Sequence, residues 1–289
     1  VPPRHPLLLT GLAAICFGFM ALAAKLAAAG LSGSQVAFLR FAFMLLPVLA
    51  VPDLARKALT WQRLDLLFYR GIFGGVAVLL YFLAIEHVPV GIATLLNYSS
   101  PLFSVAFAAF FLGERVDRRL LLPFVAALTG MVLAAGGGAG PALELRFGRW
   151  ELAAMASSVL SGAAVAAVRA ARRTEGSWAI YASFSLFGLL ATAPFGLATF
   201  RAPTPEQWLW LSIVGATSVA AQLLMTYAYR WVTNLQAGVM AQLTVVLSMI
   251  LGVAFLGDRL TPLQILGSVL TLAGVVGVVW IQATPRAVE

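Results

Sequence analysis

The sequence predicts an all-α integral membrane protein, with ten transmembrane helices forming two inverted five-helix repeats and both termini cytoplasmic. Three observations carry that prediction. The chain of 289 residues is 61% hydrophobic and 10% charged, with mean hydropathy +0.95, whereas a soluble domain carries roughly a quarter of its residues charged. Its apolar residues fall into ten windows near the roughly 17–25 residues a helix needs to cross a bilayer; barrel strands would be nearer ten and alternating. The chain also repeats itself at an offset of 144 residues, from Leu112-Gly113-Glu114-Arg115 to Leu256-Gly257-Asp258-Arg259. At that offset Ala84 falls on Ala228, Ala93 on Ala237, Ser104 on Ser248, Leu128 on Leu272 and Gly130 on Gly274.

The first window, about 7–29, follows Arg4 and exceeds the roughly 7–15 residues of a signal-peptide core, so it reads as a retained span. Gly30-Leu31-Ser32-Gly33 ends it, because such residues stop helices. The second, about 34–52, holds Arg40 and stops at Pro52-Asp53. The third, about 66–87, carries Tyr81 and ends at His87-Val88-Pro89. The fourth, about 90–112, carries Asn97, Tyr98, Ser100 and Pro101 before the first motif copy. The fifth, about 119–136, runs into Gly136-Gly137-Gly138, a linker-like stretch between the repeats.

The sixth, about 149–170, presents Ser157 and Ser161 and ends among arginines; the seventh, about 178–200, opens at Trp178. The eighth, about 206–230, carries Ser218 and Gln222. The ninth, about 235–257, carries Gln242 and closes on the second motif copy. The tenth, about 261–282, is set off from the ninth by Thr261-Pro262, a separator with helix-ending chemistry. The repeats are therefore residues 7–136 and 149–282. Five spans each is an odd number, so the second repeat is upside down relative to the first.

Charge orients the bundle. With the N-terminus inside, thirteen Lys and Arg residues fall on inner segments, and four (Arg146, Arg149, Arg201, Arg259) fall on outer ones. Cytoplasmic connectors collect Lys and Arg, which puts both termini in the cytoplasm. The net charge of +8 is dispersed through short connectors, so it reads as topology and gives no nucleic-acid face. One cysteine, Cys16, excludes an internal disulfide and a cysteine metal cluster. The two histidines, His5 and His87, with no paired-acid or HExxH pattern, give no enzyme or metal signature. The chain is expected to use no cofactor.

Leu39-Arg40-Phe41 in the second span, Ser100-Pro101-Leu102 followed by Leu112-Gly113-Glu114-Arg115, and Gly267 to Gly274 in the tenth resemble the ten-helix drug/metabolite transporter superfamily. The EamA-type branch fits best, and within it the chain is similar to YddG-type exporters of aromatic and other neutral amino acids. The resemblance implies efflux of a small-molecule substrate across the bacterial inner membrane, with multidrug or nucleotide-sugar transport as the alternative. In one departure, Pro101 maps onto Val245, where the family often repeats the proline.

Polar residues inside spans turn away from lipid. Asn97, Tyr98 and Ser100 surround Pro101, which leaves the Asn97 carbonyl without its helical amide partner; they line a substrate path or tie the helix to a neighbour. Gln242 is the repeat counterpart of Tyr98, and it and Gln222 must face a partner, a ligand or water, since an unsatisfied buried amide is costly. Tyr81 is a cavity aromatic or a core filler. Lys25 and Arg40 are basic residues within spans that either attract a carboxylate, as part of a gate, or snorkel to headgroups.

Glu86 with His87 reads as a cap or loop ion pair, or as the one pair titrating near neutrality. Trp61, Trp150, Trp178, Trp208, Trp210 and Trp280 near span ends read as interfacial anchors. Small faces such as Gly71/Gly75 suit sliding, static packing or a dimer alike, so monomer and homodimer both stay open.

Overall fold

The computed structural model describes residues 6–50, 52–58, 60–112, 118–136, 148–228 and 234–283. Gly113-Glu114-Arg115 of the first motif, the linker after Gly136, and Arg4, Arg146, Arg230 and Arg286 lie outside the described residues.

Among the described residues every regular element is helical: α1 (Pro6–Ala27), α2 (Gly33–Ala50), α3 (Pro52–Ala58), α4 (Leu64–His87), α5 (Val90–Asn97), α6 (Ser100–Leu112), α7 (Leu121–Gly136), α8 (Arg149–Ala171), α9 (Ser177–Ala198), α10 (Pro205–Ala228), α11 (Asn234–Leu256) and α12 (Pro262–Ala283). Helices are what lipid permits, since each backbone group must be satisfied within its own segment. Nine helical stretches among the described residues are long and apolar enough to cross a bilayer. The remaining span is α5 and α6 laid end to end.

The break between α5 and α6 follows from Pro101. The proline sits at the second position of α6, where its missing N–H is tolerated, but it cannot bond the Asn97 carbonyl. The chain instead closes α5 with the Tyr98 N–H on the Thr94 carbonyl (2.9 Å) and the Ser99 N–H on the Leu96 carbonyl (3.3 Å). Its repeat counterpart α11 has Val245 at that place and runs unbroken. The short α3 was not expected; Pro52 starts it where the second window was to end.

Packing displays the inversion directly. Gly18 of α1 lies against Leu247, and 144 residues on, Gly162 lies against Phe103. Gly71 lies against Phe187, and Gly215 against Phe43. Gly130 meets Thr271 while Gly274 meets Ala127. In each case the partners exchange repeats, as a two-fold axis requires. Helices α7 and α12 pair across that axis, as do α2 and α9, while α1 packs on α10 and α11 just as α8 packs on α4 and α6. The main apolar core draws on both repeats, from Met20 and Leu96 to Val245 and Val278. A smaller cluster of Phe41, Met44, Tyr181 and Phe184 fills the space between α2 and α9.

Candidate functional site

Arg40 lies seven residues into α2, roughly 10 Å along the helix axis, and is only 4% exposed. It does not snorkel. Its Nε donates to Ser218 Oγ of α10 at 2.9 Å, linking the two repeats, and its Nη1 is buried with no hydrogen-bond partner. The guanidinium stands 5.2 Å from the Phe41 ring and 5.7 Å from the Phe82 ring, and Tyr81, Tyr98 and Tyr181 lie within electrostatic range. Among the described residues no carboxylate pairs with it; the ion pairs there are Arg63–Asp65 and His87–Glu86. A buried charge without a partner costs several kcal/mol.

The two-fold is broken at this point. Arg40 and Ser218 occupy the positions that Phe184 and Gly74 occupy in the related contact, where the Phe184 ring covers Gly74. Phe184 also meets Phe41 edge-on, with ring centres 5.1 Å apart. The Arg70 guanidinium lies over the Phe184 ring at 3.9 Å, so each joint holds a cation, from α4 at one and from α2 at the other.

The other expected site residues divide into two kinds. Tyr81 is 3% exposed and its hydroxyl pairs with Thr94 Oγ1 at 2.8 Å. The Thr94 hydroxyl already donates to the Val90 carbonyl, so Tyr81 is the donor and keeps its oxygen lone pairs. Asn97 Nδ2 donates to Ser157 Oγ at 2.9 Å and Ser161 Oγ at 3.5 Å, tying α5 to α8. Gly71 and Gly75 likewise abut α9, so the small faces of the third and sixth spans are filled within the chain. Tyr98 and Ser100 flank the helix break, both half-buried. Gln222 is buried, and Gln242, also buried, has an unpartnered Nε2, as has Ser248 at its Oγ. Helix α11, carrying Gln242, packs against α5.

Lys25 also stays in the protein. Its Nζ donates to the Glu86 carbonyl (3.2 Å) and the Val88 carbonyl (3.0 Å), capping the C-terminal end of α4, where a cation is favoured. Glu86 Oε2 accepts the Gly33 N–H at 2.7 Å, and Asp258 Oδ2 accepts the Val90 N–H at 3.0 Å. Burial pushes the Asp258 carboxyl up from its usual value, against the Val90 N–H and the Lys25 charge. At the same end, Gln35 clasps residue 201 at two points: its Nε2 donates to the Arg201 carbonyl (2.7 Å) and its Oε1 accepts the Arg201 N–H (3.0 Å).

The opposite end has its own tie, with Glu175 Oε1 accepting the Gln62 and Arg63 amides. Beside it is a hollow of about 550 Å³ between the turns at Thr60–Gln62 and Thr174–Trp178. This groove lies at the bundle end, away from Arg40. Of these contacts, sequence reasoning missed the caps by Asp258 and Glu175; the acid after Leu256-Gly257 was their one visible signal.

Comparison with known proteins places the chain. It is 27% identical over 227 residues to the pseudopaline exporter CntI of Pseudomonas aeruginosa (strain UCBPP-PA14), covering 78% of each chain. It is 31% identical over 198 residues to a probable terminal-alkyne amino-acid exporter of Streptantibioticus cattleyicolor, covering 65% of this chain and 64% of that one. A solved crystal structure, 22% identical and covering 98% of both chains, superposes with a TM-score of 0.66 and shares the fold. The model of the EamA-like transporter family matches twice, over residues 6–136 and 148–280. With both repeats matched, the chain belongs to the EamA-like transporter family.

Proposed function

We propose that this protein exports a small metabolite across the bacterial inner membrane by alternating access, with neutral aromatic or hydrophobic amino acids as the first candidate cargo. One observation carries the reading: polar groups around the broken span, from both repeats, are buried without partners. Gln242 Nε2, Ser248 Oγ and Arg40 Nη1 are all in that state, whereas buried polar groups in a static bundle are nearly all satisfied. Tyr81, Tyr98, Ser100, Gln222 and Gln242 line the path, and Asn97 contributes the carbonyl that Pro101 leaves free. The names of the two relatives denote efflux of small metabolites, one of them an amino acid.

Every Asp and Glu lies at a span end or in a connector, and proton-coupled pumps usually hold an ionisable acid at depth. Gradient-driven export is therefore the favoured mode. The two glutamate and aspartate caps and Lys25 act as the latch of one gate.

Counterflow into liposomes preloaded with unlabelled amino acids tests this. Labelled Phe, Met, Thr or Leu is expected to accumulate with no pH gradient. Silence with amino acids, but exchange with drugs or nucleotide sugars, would keep the fold and overturn the cargo class.

A further inference from the structure

We infer that Arg40 is the seat of a carboxylate, and that the cargo is a solute presenting a single carboxylate group to it; this rests on the export reading above. The guanidinium is buried in the bundle, its Nε is held by a neutral hydroxyl, and its Nη1 has no partner. Aromatic faces at 5.2 and 5.7 Å soften the burial of a cation but do not neutralise it. A planar guanidinium with free donors matches a carboxylate in a way no point charge does.

The two-fold-related joint places its cation differently. There Phe184 covers Gly74 and the Arg70 guanidinium rests on the Phe184 ring, 3.9 Å from its centre, so that cation sits directly on an aromatic face. The Arg40 guanidinium stands farther from its rings, at 5.2 and 5.7 Å, and keeps one buried nitrogen without a partner.

The chemistry also limits the anion. A phosphate dianion calls for several cations or a cradle of amides. The other basic residue within the spans of the first repeat's outer half, Lys25, is already committed to two carbonyls. One guanidinium with tyrosine and serine hydroxyls around it suits one carboxylate, and the carboxylate of an amino acid meets that description.

Thermal unfolding of the purified full chain, with L-phenylalanine, L-methionine and L-leucine against their carboxamides, tests the inference. In the wild type the acids are expected to raise the transition and the amides not. R40M is expected to fold with an unliganded transition at or above that of the wild type and to bind the acids at least tenfold more weakly; R40K recovers part of the affinity. Equal stabilisation by acids and amides, unchanged binding in R40M, or no response of the wild type to any of the acids would overturn it.

Should R40M fail to fold, the acid-against-amide comparison in the wild type decides alone. Counterflow of the same pairs separates the two claims. Acid-selective binding without counterflow sinks the export reading and leaves the seat, whereas equal counterflow of acid and amide sinks the seat and leaves export.

Discussion

Asp258, in the turn after α11, accepts the N–H of Val90, the first residue of α5, at 3.0 Å, so a turn within one repeat caps the broken span of the other. Burial raises this carboxyl above its usual 3.8. A raised acid binds its proton more tightly in the folded state, so its stabilising effect is full below about pH 3.8 and is lost as pH rises through the folded value. Asn at 258 keeps an acceptor for Val90 and does not titrate. The wild-type transition temperature, followed from pH 4 upward, is expected to fall more steeply than that of D258N. Parallel curves would remove Asp258 from the account.

Gln242 predicts opposite signs for stability and binding. Its Nε2 is buried and unpartnered, a condition that costs about 1–3 kcal/mol. Q242L should therefore raise the transition of the unliganded protein while lowering the affinity for cargo in counterflow. A loss of both would mean that Gln242 holds the fold together.

The glycines of α7 and α12 make a paired test. A Cβ on Gly130 would meet the Thr271 amide nitrogen at 2.5 Å, and one on Gly274 the Ala127 nitrogen at 2.6 Å. Both approaches are to backbone, so G130A and G274A should each destabilise by about 1–3 kcal/mol. Gly11, with nothing within 4 Å of its Cβ direction, should be stabilised by about 0.5–1 kcal/mol in G11A. Urea or heat titration of the three variants checks the contrast.

Pro101 makes the last prediction. P101A restores an amide that can bond the Asn97 carbonyl, so α5 and α6 should become one helix. Spin labels near Ile92 and Phe107 should then move apart towards the roughly 22 Å of a straight fifteen-residue rise, and counterflow should slow. An unchanged distance would place the cause of the break elsewhere.

Much of this architecture was legible in the sequence because its causes are local or periodic. Window length and hydropathy define a span whatever it packs against, the offset from Leu112 to Leu256 marks the duplication, and five spans in each copy make it an inverted one. Pro101 marks the break through backbone chemistry alone. The fates of Lys25 and Arg40 were not legible. Snorkelling and burial begin from the same residue at the same depth, and the choice depends on partners sixty or more residues away: the Glu86 carbonyl for Lys25 and Ser218 for Arg40. Asn97 likewise found Ser157 through a helix contact that no spacing announces. The α3 turn escaped because seven residues are too few to register in a span-length window.

The exchanged contacts of α7 and α12 have one more consequence. When a two-fold machine swaps the shapes of its halves, most contacts are carried to the opposite face and must form and break in turn. The pair Gly130–Thr271 is carried onto Gly274–Ala127, within the same two helices. Under the alternating access proposed above, that joint, like the α2–α9 joint, would be carried onto itself, a place where the molecule could be gripped, by lipid or by a neighbour, without being stopped.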